Sequence, residues 1–335
     1  MKICLIGDFS PGLDEGYKNV CHSLSGCLED QQNTIECLNI KQIHLPSFWK
    51  ALSDNEAQIF HLITQPTEAS LLFSYLLKCR NPSVKIVLSA LKPENFFRRG
   101  ARSAFQQRLL RWSRIDLVIV QSQIAMDLFE RNGLKVVCIP NGVDTNRFRP
   151  VCSEIKNHLR NKYSIETSMP LALHVRHLIT QRNLMVLRCL PREGIRVVIV
   201  GGTYMGVDQR LLAMLTKAGV FVLLGYQPHI EELYQISDIY IFPVLVGDSL
   251  SMPLSVLEAM ACNVSVITTP FPGLRQYFKE GNGINYLREG DSLPSLIEKI
   301  SNSSVVPRTR EMVSDFCWES VATQIYNCYT QLLYS

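Results

Sequence analysis

A carboxylate at the edge of an apolar helix stripe is the first sign of chemistry in this chain. The stretch GDSLSMPLSVLEAMACNVSVITTPFPG, Gly247 to Gly273, reads as loop, helix and strand after the apolar run Ile239 to Val246. Ser251 suits a helix N-cap and Pro253 the first helical turn. The helix is expected to end near Cys262, with Asn263 in the left-handed stop position, and Val264 to Thr268 to form the next buried strand. At about 100° per residue, Glu258 falls beside the stripe of Leu254, Leu257 and Ala261. A carboxylate there needs a partner, and a pair of ribose hydroxyls would serve; so would an arginine, or a carboxylate reaching out to water. Just before it, the loop Asp248 to Met252 offers free backbone N–H groups at a helix start, which suits an anionic phosphate.

Other candidate groups also follow strands. Leu171 to Val175 is strand-like, and Arg176, His177 and Arg182 come after it. They suit a diphosphate clamp, and equally a solvated loop. The strand Ile195 to Val200 ends in Gly201 and Gly202. His61 lies within the apolar run Ile59 to Ile63, either as a satisfied core histidine or as a group facing a cleft. The loop GDFSPGLDEGYKN joins the strand Lys2 to Ile6 to the helix Asn19 to Leu28, and its glycines would let a backbone approach a ligand. Gly7, Gly12 and Gly16 lack the spacing of a dinucleotide fingerprint, so this loop suits a polar acceptor or is an ordinary turn.

The elements that must position these groups alternate strand and helix in both halves of the chain. Further strands are expected at Val84 to Ser89, Asp116 to Val120, Val136 to Ile139, Val220 to Leu224 and Ile239 to Val246. Helices are expected at Ile124 to Arg131, Gln209 to Ala218, Ile230 to Gln235, Leu293 to Ser301 and Thr309 to Leu333. The pattern predicts an α/β protein of two doubly wound, Rossmann-like domains. Ligands in such sheets sit outside the carboxyl ends of the strands, so the candidate groups point to a shared cleft between the domains. The polar segment after Pro-Asn-Gly (140–142), up to about Lys162, reads as the connection.

The segment FFRRGARSAFQQRLLRWSR (96–114) carries six arginines and no acid, with Phe105, Leu109 and Trp112 at helical spacing. A basic amphipathic helix suggests a membrane surface or an acidic partner; it is also what any helix packed on a sheet looks like.

Composition excludes several classes. With 335 residues the prior is about two domains, and 47% hydrophobic content argues against disorder. A net charge of +4 is too mild to imply nucleic acid. Eleven cysteines without C-x-x-C pairs form neither a disulfide framework nor a zinc pattern; reduced cytoplasmic thiols are the simplest reading. The start MKICLIGDFS reads as a strand and not a signal peptide, and no apolar run reaches the roughly 18 residues of a membrane span.

Four motifs, in order, carry a resemblance: SPGLDEGYKN; VIVQSQIAMDLFERNGLKVVCIPNGVDTNRFRP; LHVRHLITQRNL; and LLGYQPHIEELYQISDIYIFPV leading to LSVLEAMACNVSVITTP. Together they resemble the retaining glycosyltransferases of family 4, the group 1 glycosyltransferases, which have the GT-B fold. The ending FCWESVATQIYNCYTQLLY is similar to that family's final helix, which crosses back to the first domain. The resemblance divides the chain into an acceptor-side domain (1–155), a nucleotide-sugar domain (156–310) and a crossing helix (311–335).

The resemblance implies a hexosyltransferase-like enzyme of glycan biosynthesis, cytoplasmic or peripheral on the inner membrane face. Its donor would be a nucleotide-diphosphate sugar, and its acceptor a glycan or a lipid-linked molecule. No further cofactor, no metal and no nucleic-acid partner are expected, and the basic segment 96–114 is expected to make peripheral membrane contact. Glu258 matches the second acid of the family's E-x7-E motif, which contacts ribose hydroxyls. Ser251, Met252, Pro253 and Leu254 match the loop that receives the distal phosphate. The family's Gly-Arg-x-x-x-x-Lys clamp aligns with Arg176 and His177 followed by Arg182. Gly201 and Gly202 fall near the nucleotide, and Tyr226 with 228–230 where the base is bounded.

The chain departs from the family pattern at the clamp, where the arginine appears as His177, with Arg176 adjacent and Arg182 keeping a cation where Lys is usual. The first acid of E-x7-E is replaced by Leu250, with Asp248 two residues away as a substitute. Ser89, Ala90 and Leu91 stand where the family often has a histidine; His61 remains, but it follows an earlier strand. Arg176, Arg182, Asp248 and His61 are therefore the expected catalytic groups. Leu250 also supports an alternative, a non-catalytic GT-B protein that binds a nucleotide or glycan and partners an active transferase. An epimerase fits the motifs less well, and a nicotinamide enzyme lacks its fingerprint.

Overall fold

A computed structural model describes residues 1–12, 15–31, 33–98, 104–204, 206–246, 249–302 and 306–334, with the side chains of Arg98, Ala104 and Phe105 also outside the description. The chain runs β1 (Lys2–Gly7), α1 (Gly16–Asp30), β2 (Thr34–Asn39), α2 (Pro46–Asp54), β3 (Ile59–Thr64), α3 (Glu68–Arg80), β4 (Lys85–Ala90), α4 (Pro93–Arg98), α5 (Ala104–Trp112), β5 (Leu117–Val120), α6 (Gln123–Glu130) and β6 (Val136–Cys138). It continues through α7 (Ser153–Lys162), β7 (Leu171–Val175), β8 (Arg196–Gly201), α8 (Gln209–Lys217), β9 (Phe221–Leu224), α9 (Ile230–Ile236), β10 (Ile239–Phe242) and α10 (Leu254–Ala261). The remainder is β11 (Ser265–Thr268), α11 (Pro272–Tyr277), β12 (Ile284–Tyr286), α12 (Leu293–Ser301), α13 (Thr309–Met312) and α14 (Trp318–Tyr334).

Two parallel six-stranded sheets result, ordered β2-β1-β3-β4-β5-β6 and β12-β11-β10-β7-β8-β9. The first compact unit comprises residues up to Gly142 together with those from Trp318 onward, and the second spans Val143–Cys317. The divisions thus fall at 142/143 and 317/318, not at 155/156 and 310/311. The segment read as a connection is largely α7, which packs on α9 inside the second unit. None of the helices among the described residues is long and apolar enough to cross a membrane.

Both faces of each sheet are covered, which is why the strands read as apolar runs without alternation. In the first unit Cys4, Phe60, Leu62 and Leu88 enter one core cluster. The register Leu5↔His61↔Val87 lies on the opposite face. There His61, fully buried, meets the Tyr329 hydroxyl of α14 through Nδ1 and the Ser89 hydroxyl through Nε2 at 2.8 Å.

Local chemistry explains where the elements depart from expectation. The run Ile239 to Val246 stops being a strand at Phe242, because Pro243 has no N–H for the ladder. Pro253, not Ser251, occupies the N-cap position of α10; the Ser251 hydroxyl instead accepts from the Gly273 N–H at 3.2 Å. Asn263 does take the left-handed stop, with φ 58°.

The expected helix Thr309 to Leu333 is broken. Ser314–Phe316 form a tight turn and Cys317 is extended, bridging Val143 before α14 begins. Of the segment 96–114, the described residues lie in α4 and in α5 with the two residues after it, and 99–103 fall outside the description. Leu109 and Leu110 supply the buried side of α5, whereas Trp112 is exposed. Gly142 of the Pro-Asn-Gly turn answers to packing as well as to turn chemistry: a Cβ there would lie 2.5 Å from the Trp318 ring.

The second unit depends on one buried cation. Arg160 donates to the Ile236 carbonyl at 3.1 and 2.9 Å, to the Thr167 and Met169 carbonyls at 2.9 and 3.2 Å, and to Asp238 at 2.6 Å. Asp238 in turn accepts from the Leu171 N–H at 2.8 Å, at the first residue of β7. Arg160→Ala strips partners from three carbonyls and a carboxylate at once, and is expected to destabilise the second unit by about 3–5 kcal/mol. A urea transition of that unit displaced by less than about 1 kcal/mol would contradict this role.

Candidate functional site

The second sheet has a switch point. From β7 the chain moves outward to β8 and β9, then returns to lay β10 on the other side of β7. Such points leave a crevice outside the carboxyl ends of the two central strands. The β7–β10 ladder pairs only Ile239↔Ala172 and Tyr240↔Leu173. Beyond it a side chain takes over: His174 donates Nδ1–H to the Ile241 carbonyl at 2.8 Å and stacks on Phe242. Its Nε2 is buried without a hydrogen-bond partner, and burial lowers its pKa to about 4, so the ring is neutral.

Around this opening stand the groups expected from the sequence. Arg176 follows β7 and is half-buried, its Nε enclosed without a hydrogen-bond partner. Arg182 is only 3% exposed, at the end of a tight turn, Thr180–Arg182. That turn is fastened: Thr180 donates to Asp208, and Asn183, in the left-handed conformation, donates Nδ2–H to the Pro243 carbonyl at 3.2 Å. The loop after β7 is thereby tied to the loop after β10. Both arginine charges act on His174. His177 is buried, and its Nδ1–H donates to the Gly202 carbonyl at 3.3 Å, so it anchors the end of β8. A Cβ on Gly201 would come within 3.1 Å of Leu224, so its small size serves packing between β8 and β9.

Glu258 on α10 accepts from the Tyr234 hydroxyl at 2.8 Å. Desolvation raises its pKa, while the Tyr234 bond and the charges of Arg147 and Arg176 pull the other way. Arg147 itself is held by Glu231 and by the Pro228 carbonyl, both at 2.8 Å, and so pins the segment that follows Tyr226. Tyr226 is 49% exposed. Ser251, Met252, Pro253 and Leu254 are buried at the start of α10. Pro253 has no N–H, so the backbone donors of this turn come from its neighbours. Leu250, where the resemblance would put the first acid, is fully buried. Asp248 lies outside the described residues.

The second unit therefore brings Arg176, His177, Arg182, Gly201, Gly202, Glu258 and residues 251–254 to the carboxyl ends of one sheet. The remaining candidates belong to the first unit. Gly12, with φ 84°, and Gly16, the first residue of α1, follow β1; Glu15 between them caps the helix by accepting from the Tyr17 N–H at 2.6 Å. His61 corrects the sequence expectation: a ring buried in mid-strand, bonded at both nitrogens and pushed to a pKa of about 3 by burial, is a core histidine and no acid–base group. Near it a small cavity at the ends of β4–β6 is lined by Ser89, Gln121, Asn141 and Trp318. Sequence reasoning missed His174, Arg147 and Tyr234; His174 was visible as a histidine inside an apolar strand, as His61 was. Among the described residues no group of three His, Cys, Asp or Glu is placed to hold a metal ion.

Comparisons with known proteins fit this geometry. The whole chain has the two-domain GT-B fold. It aligns with sucrose-phosphate synthase from Thermosynechococcus elongatus at a TM-score of 0.80, with 18% identity over 99% of each chain. The Anabaena protein HepE, solved in complex with UDP-glucose, aligns at 0.71 with 16% identity over 99% of this chain and 100% of its own. A glycosyltransferase from Rickettsia africae aligns at 0.73 with 17% identity over 100% and 99%. Residues 174–303, the greater part of the second unit, match the family model Glycosyl transferases group 1. Sequence comparison with curated proteins finds no match.

Proposed function

We propose that this protein is a retaining glycosyltransferase of family 4 that moves a sugar from a nucleotide-diphosphate donor to a glycan or lipid-linked acceptor in the cytoplasm. The observation that carries the reading is the gathering of Arg176, Arg182, the first turn of α10 and Glu258 at one switch point, inside the segment that matches the family. HepE was solved with UDP-glucose, which supports a uridine donor. Glu258 takes the ribose hydroxyls. Arg176, Arg182 and the amides at the start of α10 hold the diphosphate.

When the glycosidic bond to the diphosphate breaks, negative charge grows on the leaving oxygen. Fixed cations and amides aimed at it stabilise the transition state more than the ground state. The acceptor hydroxyl attacks the same face of the sugar, and its proton passes to the departing phosphate. Positive charge at the leaving group is supplied by the protein in this reading, so turnover is expected to survive EDTA.

A panel of nucleotide sugars, scored first for binding and then for release of nucleotide diphosphate, tests the proposal. Binding with release supports it. Absence of binding by every donor overturns it. A second reading, a nucleotide- or glycan-binding partner without catalysis, is favoured by one observation, the full burial of Leu250. Donor binding without hydrolysis or transfer to any acceptor would select it.

A further inference from the structure

An unassigned surface lies on the first unit, where α3 and α5 pack side by side. Gln106, near the start of α5, donates Nε2–H to Glu68 Oε1 at the start of α3, at 3.0 Å. Arg114, just past the end of α5, acts electrostatically on Tyr75, two turns along α3. The two helices therefore run in the same direction, and this register sets Trp112 abreast of the segment Leu72–Leu76. Leu72 and Leu76 share one helix face at i, i+4 spacing. Each stays in water: Leu72 is 49% exposed, Leu76 48% and Trp112 56%. The apolar demand of α5 is already met by Leu109 and Leu110, so Trp112 is surplus to the core.

The rim is cationic. Arg108 lies over the Trp112 ring at 5.7 Å, and Arg108, Arg111 and Arg114 are all exposed. From 95 to 115 the sequence has no acid. The next one, Asp116, is occupied by Lys78 at 2.9 Å and by the Ile86 N–H at 2.7 Å. An indole and two leucines beside exposed guanidinium groups match the two halves of a bilayer interface, acyl boundary and phosphate. We propose that the α3–α5 face docks on an anionic lipid surface, with Leu72, Leu76 and Trp112 entering the interface and Arg108, Arg111 and Arg114 meeting headgroup phosphates. The proposal relocates the contact expected for 96–114: Arg99 and Arg102 lie outside the described residues, as does the Arg98 side chain. It does not rest on the catalytic reading above.

The test is co-sedimentation of the full chain with vesicles of equimolar phosphatidylglycerol and phosphatidylcholine, and with phosphatidylcholine alone. Binding is expected to the anionic vesicles, weakened by salt at about 0.5 M. R108E/R111E/R114E should weaken it about 100-fold, and L72S/L76S about 10-fold. Brominated acyl chains should quench tryptophan fluorescence in the parent chain but lose that quench in W112F. All substitutions are at exposed positions, and unchanged thermal melts are the control for folding. Failure of the parent chain to bind anionic vesicles overturns the proposal. So does charge-reversed protein that binds equally well, or a preference for polyuridylate or an acidic peptide over lipid.

Discussion

Replacing Arg182 by alanine is expected to lower kcat/KM for the donor by about two to three orders of magnitude, as losing one fixed donor at a developing oxyanion costs about 3–4 kcal/mol. The size follows from position. Arg182 is almost wholly buried, so its charge is poorly screened, and its turn is fixed by Thr180 on Asp208 and Asn183 on Pro243. In the proposed reaction a cation held this firmly would need little reorganisation as a diphosphate departs. The loss should therefore fall mainly on kcat, with a smaller rise in KM. Arg182→Lys keeps the charge and should recover part of the rate. A change in both constants of less than about threefold in the alanine variant, with the melt unchanged, would remove Arg182 from the diphosphate site.

The second large effect is acid destabilisation between about pH 6.5 and pH 4. His61 and His174 are buried and neutral, with pKa values lowered by burial to about 3 and about 4. In the unfolded chain each titrates near 6.5. Below that pH the unfolded state binds more protons than the folded one, so stability falls as pH falls, by up to about 1.4 kcal/mol per pH unit for each ring. Their stabilising contribution is complete above 6.5 and is gone once pH has dropped to the folded values. Asp238, whose pKa is lowered by Lys156 and Arg160 against the effect of its burial, acts only below its unfolded value of about 3.8 and does not confuse the window. Urea midpoints at several pH values should show the slope in both units, with His61→Gln flattening it in the first and His174→Gln in the second. A double variant that keeps the parent slope would refute the assignment.

Much of this was legible in the sequence, because both sheets are parallel and covered on both faces. Strands such as Leu171–Val175 announce themselves as apolar runs, and Asn263 marks the end of α10. Less legible were elements whose burial is partial. Edge strand β2 is half-exposed, and α3 leaves Leu72 and Leu76 in water, so neither shows a clean period.

The candidate site was readable as a set of positions but not as a set of partners. That Glu258 would meet Tyr234, or that Arg147 would brace the segment after Tyr226, depends on contacts across many residues that no local pattern encodes. Histidines were the hardest to assign. His61 and His174 sit alike in apolar strands, and only the third dimension shows that one is bonded at both nitrogens and the other at one.

The hydrogen bond between His61 and Tyr329 links a strand made early to a helix made after the whole second unit. The second unit is continuous and can close as soon as Cys317 has emerged from the ribosome. The first unit, begun earlier, must wait. Until α14 arrives, α1 lacks the helix that packs beside it and the ring of His61 lacks its tyrosine hydroxyl partner. Synthesis order and folding order are therefore inverted in this chain: the unit that starts first finishes second. The nascent protein carries an incompletely covered first sheet through the whole translation of its neighbour, the interval in which a holding chaperone would find most to bind.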